Sequence, residues 1–455
     1  MAILKRKWLI PFLLLMGLSV LGAVFPVTDR FNDTSSLDSG DIAWMLTAAG
    51  LVLLMTPGLS FFYAGMVRYK NVISTMLQSF IALGLISLLW VFIGFSIAFG
   101  DSIGGEGTGI FGNPLTFFMF NDVGFGANEA FAATIPFALF ALFQLKFAII
   151  TPALITGAFA ERIRFSAFLL FISLFSIFIY GPLAHMTWHP NGLFRNWGVL
   201  DFAGGTVVHI SAGLAALAGA LYLGRRKYVA GETKPYNIPF VILGTGMLWF
   251  GWFGFNGGSA LAADSIATLA FLNTNTASAA AMLSWIFFDG IRGRKPSALG
   301  ACIGAVVGLV AITPAAGFVT VGQSILIGSV SSIISNIAVH IKSRSGVDDT
   351  LDVFPCHGIG GISGMIFTGI FAKDVGLIYG NTETFKYHII ALVLVSIFAF
   401  FGSYFLYYIT DKIIPIRVNS LQEEEGLDIS QHQEQASDNG ITEVSPVNEG
   451  LSRAS

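Results

Sequence analysis

Few residues in this chain could do chemistry. Two stand out: His209, in Gly204-Gly205-Thr206-Val207-Val208-His209-Ile210-Ser211, and His357, in Phe354-Pro355-Cys356-His357-Gly358-Ile359-Gly360-Gly361. Each imidazole sits in an apolar run beside glycines that permit close backbone approach. A neutral imidazole carries one donor and one acceptor nitrogen, so two that meet could share a proton along a hydrogen-bonded pair. For either alone the plain reading is a core histidine satisfied by a backbone carbonyl. Each histidine also follows an aspartate, Asp201 and Asp352 respectively. Phe143 and Phe147 are four apart, hence on one helix face, and Phe255 precedes Asn256-Gly257-Gly258-Ser259. An aromatic face attracts a desolvated cation by up to about 2 kcal/mol. Packing is the default role of any one of the 43 phenylalanines, and Trp188 reads equally as an interfacial belt residue.

The same inventory excludes other chemistries. No third carboxylate or histidine stands at ligand spacing from His209 and His357, which disfavours a catalytic zinc site, and no metal or organic cofactor is expected. Cys302 and Cys356 both lie in apolar runs and read as buried packing, not as a disulfide. A net charge of -3, with no basic patch interleaved with aromatics, gives no sign of nucleic-acid binding.

The elements that must position these residues are membrane helices. Of the 455 residues 54% are hydrophobic and 11% charged, whereas a soluble domain is about a quarter charged. The 52 glycines suit helices that approach through small residues in lipid. Eleven apolar segments approach the roughly 20 residues that a hydrocarbon core demands: 42–66, 73–99, 131–159, 165–184, 203–224, 237–258, 265–289, 298–313, 321–341, 353–372 and 387–410. Inside such spans an ionisable group costs at least about 2.5–3.5 kcal/mol. Lys146, Asp201, His209 and His357 are therefore informative, while His340 and Asp352 sit at span ends where hydration is cheap.

Lys and Arg concentrate on the cytoplasmic side of a membrane. Alternate loops carry Arg68 and Lys70, Arg162 and Arg164, Arg225 to Lys234, Arg292 to Lys295, and Lys342 with Arg344, whereas the intervening loops hold only Arg195, Lys373 and Lys386. The mature N-terminus is then outside and the C-terminus cytoplasmic. Residues 1–25, with Lys5, Arg6 and Lys7 ahead of an apolar run, have the layout of a signal peptide. The cleavage site is poor, with Leu21 two residues before Ala23, which leaves an uncleaved anchor as the other reading. Residues 42–412 form the transmembrane domain and 413–455 a cytoplasmic tail, of which Ser437 to Ser455 has too little apolar surface to order itself. His209 falls in the fifth span and His357 in the tenth, so the two segments run in opposite directions. The expected fold is an all-α polytopic membrane protein: eleven transmembrane helices in an inverted five-plus-five repeat plus a final helix, with the site near the midplane where repeats meet.

Four stretches resemble the ammonium transporter (Amt/Mep/Rh) family on its Amt side: Gly157 to Arg164, Asp201 to His209, Gly251 to Ser259, and Asp348-Asp349 through His357-Gly358. The resemblance runs from about Ala43 to His432. It implies an inner-membrane transporter for ammonium or ammonia, with methylammonium as a possible analogue, and no enzyme activity. Phe147, Trp188 and Ser259 resemble the external recruitment site, with Phe143 beside it. Phe147 and Phe255 resemble the stacked gate, Asp201 the acidic residue that supports the site through backbone hydrogen bonds, and His209 with His357 the twin histidines of the pore. The family forms homotrimers with one pore per subunit. Its bacterial members suggest a PII-type regulatory partner, with the segment Glu424 to His432 linking subunits. Two features depart from the pattern: Lys146 adjoins Phe147, where a cation facing the vestibule would repel ammonium, and Pro355-Cys356 precedes His357. Two other classes compete, an ammonium sensor with little flux and a membrane-embedded enzyme using the two histidines.

Overall fold

The computed structural model describes residues 2–24, 27–105, 107–227 and 235–436. The segment Ser437 to Ser455 and the loop position Lys234 lie outside the described residues. After helix α1 (Ala2–Val24) come α2 (Ser39–Met66), α3 (Tyr69–Phe99), α4 (Phe137–Ala158), α5 (Phe165–Trp188), α6 (Gly205–Leu223), α7 (Ile238–Ala260), α8 (Ser265–Ile291), α9 (Ala298–Ile312), α10 (Val321–Arg344), α11 (Phe354–Phe371) and α12 (Thr382–Ile413). The fold is all-α and polytopic. Among the described residues nine of these helices, α2 to α7 and α10 to α12, are long and apolar enough to cross a membrane. Helices α8 and α9 occupy the other two expected spans. The first carries Asn273, Thr274, Thr276, Ser278 and Asp289 along 27 residues, and the second has only 15.

Helices are the form that lets a lone segment satisfy every backbone polar group without water. Their free ends are capped by neighbouring side chains. Asp38, Asn237, Asp264, Ser297 and Asn381 each accept a hydrogen bond from the first turn of the helix that follows, and Thr320 with Gln323 forms a reciprocal capping box. The only strands among the described residues are two small hairpins, Ser102–Ile103 with Phe111–Gly112 and Ala127–Asn128 with Ala132–Pro136, in the long connection before α4.

Helices α6 and α11 cross closely because glycines meet there. A Cβ on Gly213 would collide with the backbone of Gly358, and one on Gly361 would come within 3.1 Å of both Gly205 O and the His209 Cβ. Each helix opens with a π-helical turn, Gly205–Ile210 in α6 and Phe354–Gly358 in α11. Such turns interrupt the regular ladder and frequently mark functional positions. The two turns carry His209 and His357.

At the opposite end of the bundle from the hairpins the loops are pinned by charge. Glu161, almost wholly buried, accepts from Arg68 N at 2.7 Å, from Arg68 Nε at 2.8 Å and from Arg226 Nη1 at 3.0 Å. Arg226 also reaches Asp348 at 2.9 Å. The start of the tail docks on this platform within its own chain. Arg417 pairs with Glu423 at 2.8 Å, and the Asp428 carboxylate accepts from Ser74 N at 2.7 Å and Ile73 N at 3.1 Å. The segment Glu424 to His432 thus has a binding surface on its own subunit, at the start of α3.

Candidate functional site

Near the hairpin end a cavity of about 240 Å³ opens among α3, α4, α5, α7 and the segment before α6, and Phe147, Trp188, Ser259 and Asp201 all line it. Trp188 is fixed by its indole N–H, which donates to Asp201 O at 3.1 Å. The Ser259 hydroxyl donates to Phe255 O at 2.8 Å. With its proton committed there, the oxygen faces the chamber as an acceptor only.

Asp201 holds the chamber floor from behind. Oδ1 accepts from Gly204 N at 2.8 Å and Gly205 N at 2.6 Å, while Oδ2 accepts from Thr206 N at 2.7 Å and from the Thr206 hydroxyl. The carboxylate thereby satisfies the orphan N–H groups where α6 begins. Gly204 there has φ 116°, a conformation that glycine alone adopts cheaply.

Below the chamber Phe147 and Phe255 stack, ring centroids 4.2 Å apart at 29°. Trp188 meets Phe147 edge-on at 5.9 Å. Phe143 meets Phe147 at 5.0 Å and packs toward Gly258, so it backs the upper ring and does not line the chamber. Under Phe255 lies the His209 ring, at 6.0 Å. His209 Nδ1 stands 3.4 Å from His357 Nδ1, with ring centroids 5.5 Å apart. One Nδ1 must donate and the other accept for that contact to be favourable, so the pair shares one proton between those atoms. His209 Nε2 is buried without a hydrogen-bond partner among the described residues, a costly state in a folded chain unless a ligand or water visits it. Beyond His357 a second cavity of about 10 Å³, roughly the space of one water, is lined by Tyr63, Val306, Cys356 and His357.

The structure therefore brings together the residues singled out in the sequence: Phe147, Trp188, Ser259 and Asp201 around a chamber, Phe143 and Phe255 against Phe147, and His209 with His357 below. It corrects one pairing. The carboxylate equivalent to Asp201 is Asp349, not Asp352: each stands eight residues before its histidine. Asp349 accepts from Val353 N at 3.1 Å and Phe354 N at 2.8 Å at the start of α11, whereas Asp352 lies 2.7 Å from Lys342. Burial raises the Asp349 carboxyl to about 6, against the opposing pull of Lys342. Asp352 instead has φ 58° and matches Gly204, each five residues before a histidine. Equal spacing is the signal in the sequence that identifies the true counterpart.

Trp252 is a further member of the site that the sequence does not single out. Its ring stacks on His209 at 5.4 Å, and its N–H donates to Thr313 at 2.9 Å. The Gly-Trp-Phe-Gly run marks the segment but not which aromatic faces the pore. Lys146 does not line the chamber and has no charged partner among the described residues. It lies half-buried on the outward stripe of α4 that includes exposed Leu142. Cys302 and Cys356 are buried free thiols.

Comparison with known proteins agrees with this geometry. The Ammonium Transporter Family matches residues 43–437. The ammonium transporter of Bacillus subtilis is 44% identical over 408 residues, 88% of this chain and 99% of that protein. The crystal structure of Saccharomyces cerevisiae Mep2 superposes with a TM-score of 0.79 at 34% identity, covering 85% of this chain and 89% of that one. A structure described as a Sensor Amt Protein matches with a TM-score of 0.79 at 29% identity, over 86% and 98% of the two chains. With nearly the whole membrane region matched, and a buried histidine pair beneath stacked aromatics at its centre, this chain belongs to the Ammonium Transporter Family.

Proposed function

We propose that this protein, an ammonium transporter and not an enzyme, recruits ammonium in the chamber above Phe147, strips its proton at or below the Phe147–Phe255 gate, and conducts ammonia past His209 and His357. The observation that carries the reading is the order of groups along one line: cation-attracting rings and an acceptor hydroxyl, then a closed aromatic stack, then paired imidazoles in a dry passage. Ammonium can donate to Ser259 and lie against Trp188 and Phe147. Potassium is close to ammonium in size, so a simple hole would not separate them. An apolar passage does, because potassium has no proton to give up and pays its full desolvation cost. Asp201 supports the chamber through backbone and does not touch the substrate.

Recruitment and conduction then rest on different residues. Trp188→Leu combined with Ser259→Ala is expected to raise the concentration for half-maximal methylammonium uptake roughly tenfold, from the loss of about 1.4 kcal/mol of cation–π and hydrogen-bond attraction. The maximal rate should stay within about twofold of wild type. An unchanged concentration dependence in the double variant would remove the chamber as the recruitment site.

The matching Asp201 and Asp349 spacings, the paired π turns and the antiparallel crossing of α6 and α11 support an inverted five-plus-five repeat within eleven spans, with α8 and α9 completing the set. Residues 1–25 then act as a signal peptide, 42–412 as the membrane domain and 413–455 as the tail. The densest positive loops, Arg225 onward and Arg292 to Lys295, support a cytoplasmic platform end and an outward-facing chamber. Single cysteines at those loops should resist an impermeant thiol reagent in intact cells, and ready labelling would reverse the orientation. Outward-facing Lys146 and the docked tail suit a homotrimer whose inner face receives a PII-type protein. Native mass measurement should find three chains per particle and a heavier one with that partner added; single chains would refute the assembly. The sensor reading draws support from the matched Sensor Amt Protein, and measured flux separates the two.

A further inference from the structure

Arg195 also lines the chamber, and its guanidinium donates to Trp188 O at 3.4 Å. Among the described residues no carboxylate lies within ion-pair distance of it. It is exposed, in the short helical turn Leu193–Asn196 between α5 and α6. The charged side chains lining the chamber, among the described residues, are thus Arg195 and Asp201. The Asp201 charge is committed to backbone N–H groups at the chamber floor, while the Arg195 charge stands free at the wall. A fixed cation in a chamber that collects cations lowers their local concentration, and water and salt between the charges set how strongly.

We infer that Arg195 is an electrostatic attenuator of recruitment: its free positive charge weakens ammonium binding in the outer chamber and sets the concentration range over which the transporter saturates. The inference rests on the chamber being the recruitment site. The effect belongs to charge and not to shape. It acts on the half-saturating concentration and leaves the passage of ammonia through the histidine pair alone.

The test is methylammonium uptake by purified protein in liposomes, at ionic strengths of about 10 mM and about 0.5 M set with an impermeant salt, where the screening length falls from about 30 Å to a few Å. Arg195→Gln should lower the half-saturating concentration roughly two- to fourfold at low salt, the scale of one unit charge acting across a water-filled chamber, and the gap should close at high salt. Arg195→Lys, which keeps the charge, should behave as wild type at both. Arg195→Gln without effect at low salt would overturn the inference. So would Arg195→Lys shifting as far as Arg195→Gln, because the lost bond to Trp188 O would then be the cause. Trp188→Leu, run alongside, separates the two levels. If it weakens saturation while Arg195→Gln changes nothing, recruitment at the chamber holds and the charge effect fails. If it leaves saturation unchanged, the recruitment reading itself fails and the attenuator goes with it.

Discussion

Replacing both pore histidines, His209→Ala with His357→Ala, is expected to cut selective ammonium transport by roughly a hundredfold, the lower end of what a positioned proton acceptor contributes. The reason lies in the 3.4 Å contact between the two Nδ1 atoms and in the buried, unpartnered Nε2 of His209. These are the polar atoms available to a proton or an ammonia molecule just below the Phe255 ring, and the double variant leaves an apolar tube. A doubly protonated pair would be prohibitively costly in so dry a passage, so the proposed mechanism keeps the pair neutral. His209→Asp probes the other side of the argument. A carboxylate in the lumen gives an intact cation a counter-charge, so this variant should keep some flux and begin to admit potassium. Should the double alanine protein assemble and still pass ammonium while excluding potassium, selectivity would reside wholly in the gate above.

The second large effect is expected at Asp201. Its two oxygens accept from three backbone N–H groups and the Thr206 hydroxyl, all buried at the start of α6. Leaving a buried donor unmade costs about 1–3 kcal/mol each, so Asp201→Ala should destabilise the fold by at least ~3 kcal/mol and abolish uptake. The π turn that aims His209 at His357 begins at those same N–H groups, so the loss reaches the pore. Asp201→Asn keeps one acceptor oxygen and should be intermediate in melting temperature and in uptake. Thermal melting in detergent, read beside liposome uptake, checks both. A variant Asp201→Ala that melts and transports like wild type would show that the carboxylate does not hold the site together.

Much of the fold and of the pore is legible in the sequence alone. Apolar runs near 20 residues locate helices in lipid because no other single-segment form satisfies the backbone there, and each expected span overlaps a helix, although the third, expected from 131, opens with the strand Ala132–Pro136 and becomes helical only at Phe137. Ionisable residues within those spans are few enough to single out His209 and His357. Other features are not legible, for physical reasons. Both α8 and α9 are among the expected spans, yet neither is as long and apolar as the rest: α9 has only 15 residues, and α8 carries polar residues that turn inward, such as Asn273, which donates to Ala316 O and Val319 O at 2.8 Å. Hydropathy averages over faces and cannot tell an inward polar stripe from a wet one. Asp352 stands nearer to His357 in sequence than Asp349 does, yet distance to a helix start decides capping, not distance to the histidine. Trp252 belongs to the site through neighbours far away in sequence, His209 and Thr313, which periodicity does not encode. The family resemblance supplies roles for residues that spacing alone leaves as packing, Ser259 above all.

The measurement that tests the central claim most directly is ammonium-evoked flux in liposomes containing only this purified chain, followed with ammonium and with potassium under the same gradient. The account predicts saturable ammonium flux well above that of empty vesicles, no potassium flux, and loss of the ammonium signal in the double histidine variant. Assembled protein that passes no more ammonium than empty vesicles, or that passes potassium as readily, would contradict it.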